Sequence, residues 1–511
     1  MSHASTPQRL HDAFDAWRAE APDTSFLFLP GAAVTVGQLG EQVDAQAREL
    51  RDIGVRPGDR VLIVAENCPE HVALVLACSR VGAWSCGVNA RMAPGEVSAF
   101  AAKADARCTY FTAAASAAAA RHAVAFDACK AALAGLVRSP VRTDAVAESG
   151  ALGEAVAAII FTSGTTGTPK GVMVTHDGLT HFGRVSANSR RLGPADRSYA
   201  YLPMTHIFGL GTVLAASLQA RAGLVMRSKF DPPDLLDALA HGQVSQLQGP
   251  PTLFARLLAH LDDHGVTQPP APHLRYVYTG AGPLDRALKQ QVEARFGQPL
   301  HHGYGLSEYV GSVHVTALGE HRDDTSAGLR VEGAEAGIRD AEGRELPTGE
   351  RGEIWIRGRG LMAGYFRDAV ATEAVMKPGG WYASGDLGYL DESGALFVVG
   401  RLKEMIIRSG FNVYPGEVEL ALQEFPAIRA ASVAGRPERD GNEEVVAFVT
   451  LKPGQALDSA DLQAFLRERL APYKRPAHVL AVEQFPMTLS GKVLKRELLA
   501  LLSFNHSNCT R

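Results

Sequence analysis

The chain is short of cysteine, of tryptophan, of long apolar runs and of any surplus of charge, and each shortage removes a class of function. Six cysteines (Cys68, Cys78, Cys86, Cys108, Cys129 and Cys509) are scattered without a close CxxC pair. That excludes a zinc knuckle or a dithiol redox centre and suits reduced thiols used as core filler. No stretch of about 18 uncharged apolar residues occurs, so no membrane span is expected. The segment from Met1 to Asp23 is polar and lacks the apolar core of a leader peptide. The ending Asn508, Cys509, Thr510, Arg511 matches neither a peroxisomal tripeptide nor a prenylation box. These features predict a soluble, cytoplasmic protein. With 51 Lys+Arg against 55 Asp+Glu the formal net charge is -4. No global basic field exists, so nucleic acid is not an expected partner and anionic ligands must be met locally.

What is present is a long chain, 511 residues and 46% hydrophobic, more than one core can serve. Apolar runs at Arg60 to Val64, Val156 to Phe161 and Leu274 to Tyr278 alternate with helical stretches such as Glu70 to Val81. That alternation predicts α/β layering with buried, largely parallel strands. The alanine-rich segment Ala113 to Ala134 reads as a surface helix pair. From Gly352 turn punctuation takes over, Asp391 to Gly394 reads as a hairpin turn, and antiparallel pairing is expected. Helices over Pro415 to Gln423 and Ser459 to Leu470 and a strand over Val445 to Leu451 predict a separate small domain after Lys403.

The segment Phe161 to Gly171, FTSGTTGTPKG, follows a buried strand and can offer backbone N–H groups, hydroxyls and one cation to a polyphosphate. It is not a Walker A loop, because Pro169 precedes Lys170 where glycine would stand and Gly171 follows it where Ser or Thr would. It resembles the signature of the adenylate-forming (AMP-binding) superfamily of acyl-CoA synthetases, nonribosomal adenylation domains and luciferases. Further family motifs follow in order: PMTHIFG from Pro203, TGAGPL from Thr279, GYGLSE from Gly303, ASGDLGYLDESG from Ala383, GRLKEMI from Gly400 and LSGKVLKREL from Leu489. The resemblance extends from about Leu10 to about Leu502 and is to an acyl-CoA synthetase or aryl-CoA ligase of the 4-coumarate- or benzoate-CoA ligase kind.

The resemblance implies a fold and a set of roles. The fold is a large N-terminal domain (1–402) of layered mixed sheets with helices and a distorted antiparallel barrel subdomain, plus a small mobile α+β domain (403–511) hinged at Lys403. Thr162, Ser163, Gly164, Thr165, Thr166, Gly167 and Lys170 would grip the ATP phosphates. Gly280, Ala281 and Gly282 would pass under the nucleotide, Tyr304 would stack on adenine beside Gly305, and Ser307 would reach the α-phosphate or the metal. Glu308 would hold Mg²⁺. Asp386 would accept the ribose hydroxyls with Arg401 beside it. His302 and Ser307 stand where glutamine and threonine are commoner. Lys492 and His206 would be catalytic. Arg408, Gly410 and Lys474 would serve coenzyme A after the small domain rotates.

Phe208, Thr212, Gln248, Tyr309, Gly311 and Ser312 would line the acyl pocket, together with Gly280 to Gly282. The recurrence of glycine leaves room for a ring or a medium chain, and those segments hold no lysine or arginine to pair with a second carboxylate. The expected enzyme is thus an acid–thiol ligase that uses ATP, Mg²⁺ and coenzyme A on an aromatic or medium-chain monocarboxylic acid, as a monomer or homodimer. Three other outcomes stay open: loading of a carrier-protein phosphopantetheine, an oxidative luciferase, and a non-catalytic relative. A GxSxG hydrolase is excluded at Ser307 for want of the second glycine. A dinucleotide fingerprint fails for want of a third glycine, and the histidines form no zinc ligand set.

Overall fold

The apolar runs become sheet interiors. Arg60–Ala65 is buried at every residue and pairs in parallel with Trp84–Asn89 on one side and Cys108–Phe111 on the other. Continuous burial is what a strand covered on both faces requires. The computed structural model describes residues 9–162, 170–408, 411–437, 442–487 and 493–506. The chain divides into two compact units, Met1–Ala336 with Ile356–Tyr382, and Gly337–Trp355 with Ala383–Arg511.

The first unit holds two large sheets. The seven-stranded sheet runs in the order Cys129–Lys130, Val137–Arg138, Cys108–Phe111, Arg60–Ala65, Trp84–Asn89, Val156–Thr162, Lys170–Thr175. Four central strands are parallel and the flanking ones antiparallel. The nine-stranded sheet places Gln246–Gly249, Tyr276–Thr279 and Leu300–Leu306 side by side in parallel, and Gly311–Val315 returns antiparallel on the last of them. Helix Pro69–Val81 begins with proline at its first position and ends on Gly82 at φ 77°, the left-handed stop that glycine adopts without penalty. Its residues are buried nearly all round, so it belongs to the interior.

The alanine-rich segment departs from expectation. Only Ala117–Ala125 is helical, capped by Ser116 Oγ, which accepts from Ala119 N. Asp127 then takes φ 49°, and Cys129–Lys130 pairs with Val137–Arg138. Alanine supplies helix propensity but no apolar stripe to dock a second helix, and strand pairing wins.

In the second unit, strands Ile428–Pro437, Glu443–Leu451 and His478–Ala481 form one sheet. Val445, Ala447 and Val449 join Val418, Leu422, Leu462 and Leu466 in one core, while Val446 and Phe448 pack with Leu498 and Leu502 in another. The two-residue strand period therefore feeds both faces of a covered sheet. Helices Pro415–Gln423 and Ser459–Arg469 occupy their expected places. Residues Asp386 to Leu390 pair antiparallel with Leu396–Arg401, and Asp391 Oδ1 closes the turn by accepting from Ser393 N and Ala395 N. The α/β class with a smaller C-terminal α+β part is as the sequence predicts.

Among the described residues no helix is long and apolar enough to cross a membrane. Cys68, Cys78, Cys86 and Cys108 are free and buried, and Cys129 is free and exposed. Burial pushes the thiols of Cys86 and Cys108 up to about 12, so they are inert filler.

Candidate active site

Strand Val156–Thr162 pairs antiparallel with Lys170–Thr175, and Thr162 faces Lys170 across the pair. Ser163, Gly164, Thr165, Thr166 and Gly167 lie outside the described residues. The Lys170 ammonium sits 4.5 Å from the centroid of the Tyr365 ring, an arrangement favoured by the ring quadrupole. The same tyrosine donates its hydroxyl to Glu308 Oε1 at 3.0 Å, with the Tyr382 hydroxyl 3.4 Å away. Burial, and then the Glu308 charge, push both phenols up, so both stay protonated. Backbone pairing fixes Tyr365: it bridges to Val172, and Phe366 N donates to Gly171 O at 2.7 Å. No motif singled out Tyr365. It joins the candidate phosphate-binding cation to the candidate metal carboxylate, 138 residues (308 − 170) apart in sequence.

The 280–282 turn and the 303–308 segment leave adjacent parallel strands. Tyr304 is buried on Leu300–Leu306, and Ser307 is buried at the start of the short helix Ser307–Tyr309. Two non-glycine residues here hold left-handed backbone, Ala281 at φ 63° and Val310 at φ 61°. For a β-branched residue such as Val310 this conformation is strained. Gly311 follows at φ 146°, and a Cβ built on it would come within 2.3 Å of the Phe182 ring. A Cβ on Gly305 would come within 2.2 Å of Gly311 O. At Gly311, one of the small residues that the sequence reads as room for an acyl group, the direction a Cβ would take is therefore already occupied by Phe182. His302 Nδ1 lies 3.1 Å from both Thr325 O and Ser326 O. Carbonyls only accept, so Nδ1 carries the proton and Nε2 is left as an acceptor, while burial pushes the ring pKa down and keeps it neutral.

Phe208 and Thr212 lie on a π-helix, Phe208–Ala215, a rare local geometry concentrated at functional sites. Periodicity gave no sign of it. His206 precedes it, with Nδ1 accepting from Phe208 N at 3.2 Å and its pKa lowered by burial. The Phe208 ring meets Tyr278 edge-on at 6.0 Å. Thr212, Tyr278 and Ser312 share the wall of a cavity of about 20 Å³ with Phe182, Tyr276 and Arg190. Gln248 is fully buried, and its amide has no partner among the described residues. Tyr309 is not in this wall; it donates to Gly333 O at 3.0 Å. A larger cavity, about 470 Å³, lies beside helix Arg286–Phe296 and gathers none of the motif residues.

In the second unit Asp386 and Arg401 are cross-strand partners, with Arg401 Nε 3.1 Å from Asp386 Oδ1. Lys403 is exposed in the single turn Leu402–Glu404, between strands Leu396–Arg401 and Ile406–Arg408. Arg408 Nη1 donates to Arg475 O at 2.7 Å, and Lys474 Nζ pairs with Glu417 Oε1 at 2.5 Å. Gly410 and Lys492 lie outside the described residues.

The model of the AMP-binding enzyme family matches residues 14–366, and that of the AMP-binding enzyme C-terminal domain matches residues 417–492. The chain is similar to a feruloyl-CoA synthase from Amycolatopsis sp, 32% identical over 92% of this chain and 94% of that one. It is 33% identical to a 3-[(3aS,4S,7aS)-7a-methyl-1,5-dioxo-octahydro-1H-inden-4-yl]propanoyl:CoA ligase from Mycobacterium tuberculosis, over 95% of this chain and 97% of that one. Among solved structures, ATP-bound MatB from Rhodopseudomonas palustris superposes with a TM-score of 0.85 at 28% identity, covering 96% of this chain and 98% of that one.

Proposed function

Because the chain belongs to the AMP-binding enzyme family, we propose that it is an ATP-dependent acyl-CoA synthetase whose substrate is an aromatic or medium-chain monocarboxylic acid. It is an adenylate-forming acid–thiol ligase. The observation that carries the reading is Tyr365, which draws Lys170 and Glu308 from separate segments into one corner. That pairing of a cation with a fixed carboxylate suits a polyphosphate and its counter-ion. The indenyl propanoate named for the mycobacterial relative supports a ring-bearing acid.

In the first half-reaction a substrate carboxylate oxygen bonds to the α-phosphorus, the bond to the bridging oxygen breaks, and pyrophosphate departs. In our reading Lys170 is the cation that neutralises the leaving group. Glu308 fits Mg²⁺: a lone carboxylate, oriented by the Tyr365 hydroxyl, is the donor that this ion takes beside phosphate oxygens and waters. When bound, Mg²⁺ supplies charge neutralisation on those oxygens. In our reading Lys492 contacts the reacting carboxylate, and Asp386, oriented by Arg401, accepts the ribose hydroxyls.

In the second half-reaction the thiolate sulfur of coenzyme A bonds to the acyl carbon, the acyl–oxygen bond breaks, and AMP leaves. We place the boundary of the mobile part at Lys403 and the coenzyme A contacts at Arg408, Gly410 and Lys474. Lys474 would have to exchange Glu417 for a phosphate. The test is to mix purified protein with ATP, Mg²⁺ and a panel of acids, reading pyrophosphate release. Coenzyme A or a carrier protein is then added and the thioester read by mass spectrometry. Pyrophosphate release without acyl-CoA would overturn the acceptor; no release with any acid would overturn the reading.

A further inference from the structure

Arg190, at the C-terminal end of helix His176–Ser189, is 1% exposed and is among the largest fully buried side chains. The one side-chain hydrogen bond it makes among the described residues runs from Nη2 to Thr212 O at 2.6 Å. Its Nε is buried and has no partner among them. No carboxylate among them lies within ion-pair distance. Asp196, the acid in its neighbourhood, is taken by Arg275 at 2.5 Å and by Ser245 Oγ at 2.7 Å. The groups that face Arg190 are the phenols of Tyr276 and Tyr278, and Tyr278 is itself 3.0 Å from Ser312 Oγ. Burial lowers the guanidinium pKa to about 10, so it is still charged at neutral pH. A buried guanidinium lacking both a counter-charge and a full set of acceptors is costly, and protein interiors rarely leave one so.

The cavity that Arg190 lines is about 20 Å³ and shares Thr212 and Ser312 with the residues placed in the acyl pocket. That is space for one water-sized atom. We propose that Arg190 closes the far end of the acyl pocket and selects acids whose distal end carries a single oxygen acceptor, a keto or hydroxyl oxygen, in preference to a hydrocarbon end or a second carboxylate. The inference rests on the synthetase reading above and sharpens its substrate class. An apolar end would leave the guanidinium unsatisfied, and a carboxylate, with three heavy atoms, is too large for the space. A site built around a buried donor discriminates strongly against an analogue that lacks the acceptor.

The test compares matched acids: octanoate, 8-hydroxyoctanoate and octanedioate, and cinnamate, 4-hydroxycinnamate and 4-carboxycinnamate. In the native protein, kcat/KM for the better of the two single-oxygen acids is expected to exceed that of its hydrocarbon partner by about tenfold or more, carried mainly in KM. In Arg190→Met that ratio collapses toward one, and Arg190→Lys, which keeps a donor, retains part of it. A native ratio near one in both series, an equal fall for both partners in Arg190→Met, or octanedioate or 4-carboxycinnamate ranking first would each overturn the proposal. If Arg190→Met does not fold, the native ratios and Arg190→Lys decide. Dissociation constants from calorimetry give the same ratios without turnover. Oxygen-selective binding with no thioester formed would sink the synthetase reading alone.

Discussion

The corner around Tyr365 in the first unit and the candidate residues of the second unit are built in opposite ways. Around Tyr365 the side chains are already engaged: a phenol on Glu308 and a ring face under Lys170, with strained backbone at Val310 two residues after Glu308. In the second unit Lys403 stands exposed in a single turn, and Lys474 is occupied by Glu417. One region is preorganised for charge, as electrostatic stabilisation demands. The other holds residues whose proposed roles depend on exchanging partners, so its contacts say less about chemistry.

The largest expected effect lies in the second unit. Lys492→Ala is expected to lower adenylate formation by about 10²–10³ while largely sparing thioester formation from supplied acyl-adenylate. ATP–pyrophosphate exchange and a single-turnover transfer assay measure the two halves, and an equal loss in both would end the idea that the halves are separable. Next, Tyr365→Phe keeps the ring under Lys170 but removes the hydrogen bond to Glu308. A charge-assisted bond of about 1.5–3 kcal/mol implies a roughly tenfold to hundredfold fall in kcat, together with a raised Mg²⁺ requirement. If the Mg²⁺ titration does not move, Tyr365 does not position the metal carboxylate.

Lys403→Pro fixes φ at the proposed pivot, so transfer to coenzyme A is expected to fall by about an order of magnitude while adenylation persists. Unchanged turnover would put the pivot elsewhere. Acid sensitivity belongs to the first unit: burial pushes His71, His301 and His314 down to about 4. Their folded pKa lies below the unfolded value of about 6.5, so the unfolded chain takes up protons that the native state refuses. Stability is present above pH 6.5 and is lost as pH falls toward 4, by up to about 1.4 kcal/mol per pH unit per histidine. Urea midpoints at pH 7 and pH 5 check this, and a flat profile would remove it. Last, Gly311→Ala meets both a φ of 146° and the Phe182 ring, so a loss of about 1–3 kcal/mol in stability is expected. Thermal melts measure it, and Phe182→Leu in the same chain should return part of the loss.

Much of the fold could be read in the residues because it rests on local pattern: continuous apolar runs gave buried strands, and helix Pro415–Gln423 lies where its composition placed it. The alanine-rich segment could not be read, because propensity alone does not say what a helix will dock against. Among the candidate residues, the ordered motifs singled out Glu308, Lys170 and Asp386, but they gave no hint of Tyr365 or Arg190. Each of those matters through what lies beside it in space. The FTSGTTG motif pointed to the phosphate loop, yet most of that loop, like Lys492, lies outside the described residues. The GLMAGYF segment at Gly360 to Phe366 holds the one signal that could have suggested Tyr365, an aromatic pair after two glycines.

The π-helix at Phe208–Ala215 has an evolutionary corollary. An α-helix turns by about 100° per residue, so deleting one residue from the wider coil would let it tighten and swing everything on one side of the deletion by that angle. Thr212 would leave the wall it shares with Arg190. On the acyl-pocket reading proposed above, one codon gained or lost in this helix would change the acid accepted with no side chain of the pocket substituted.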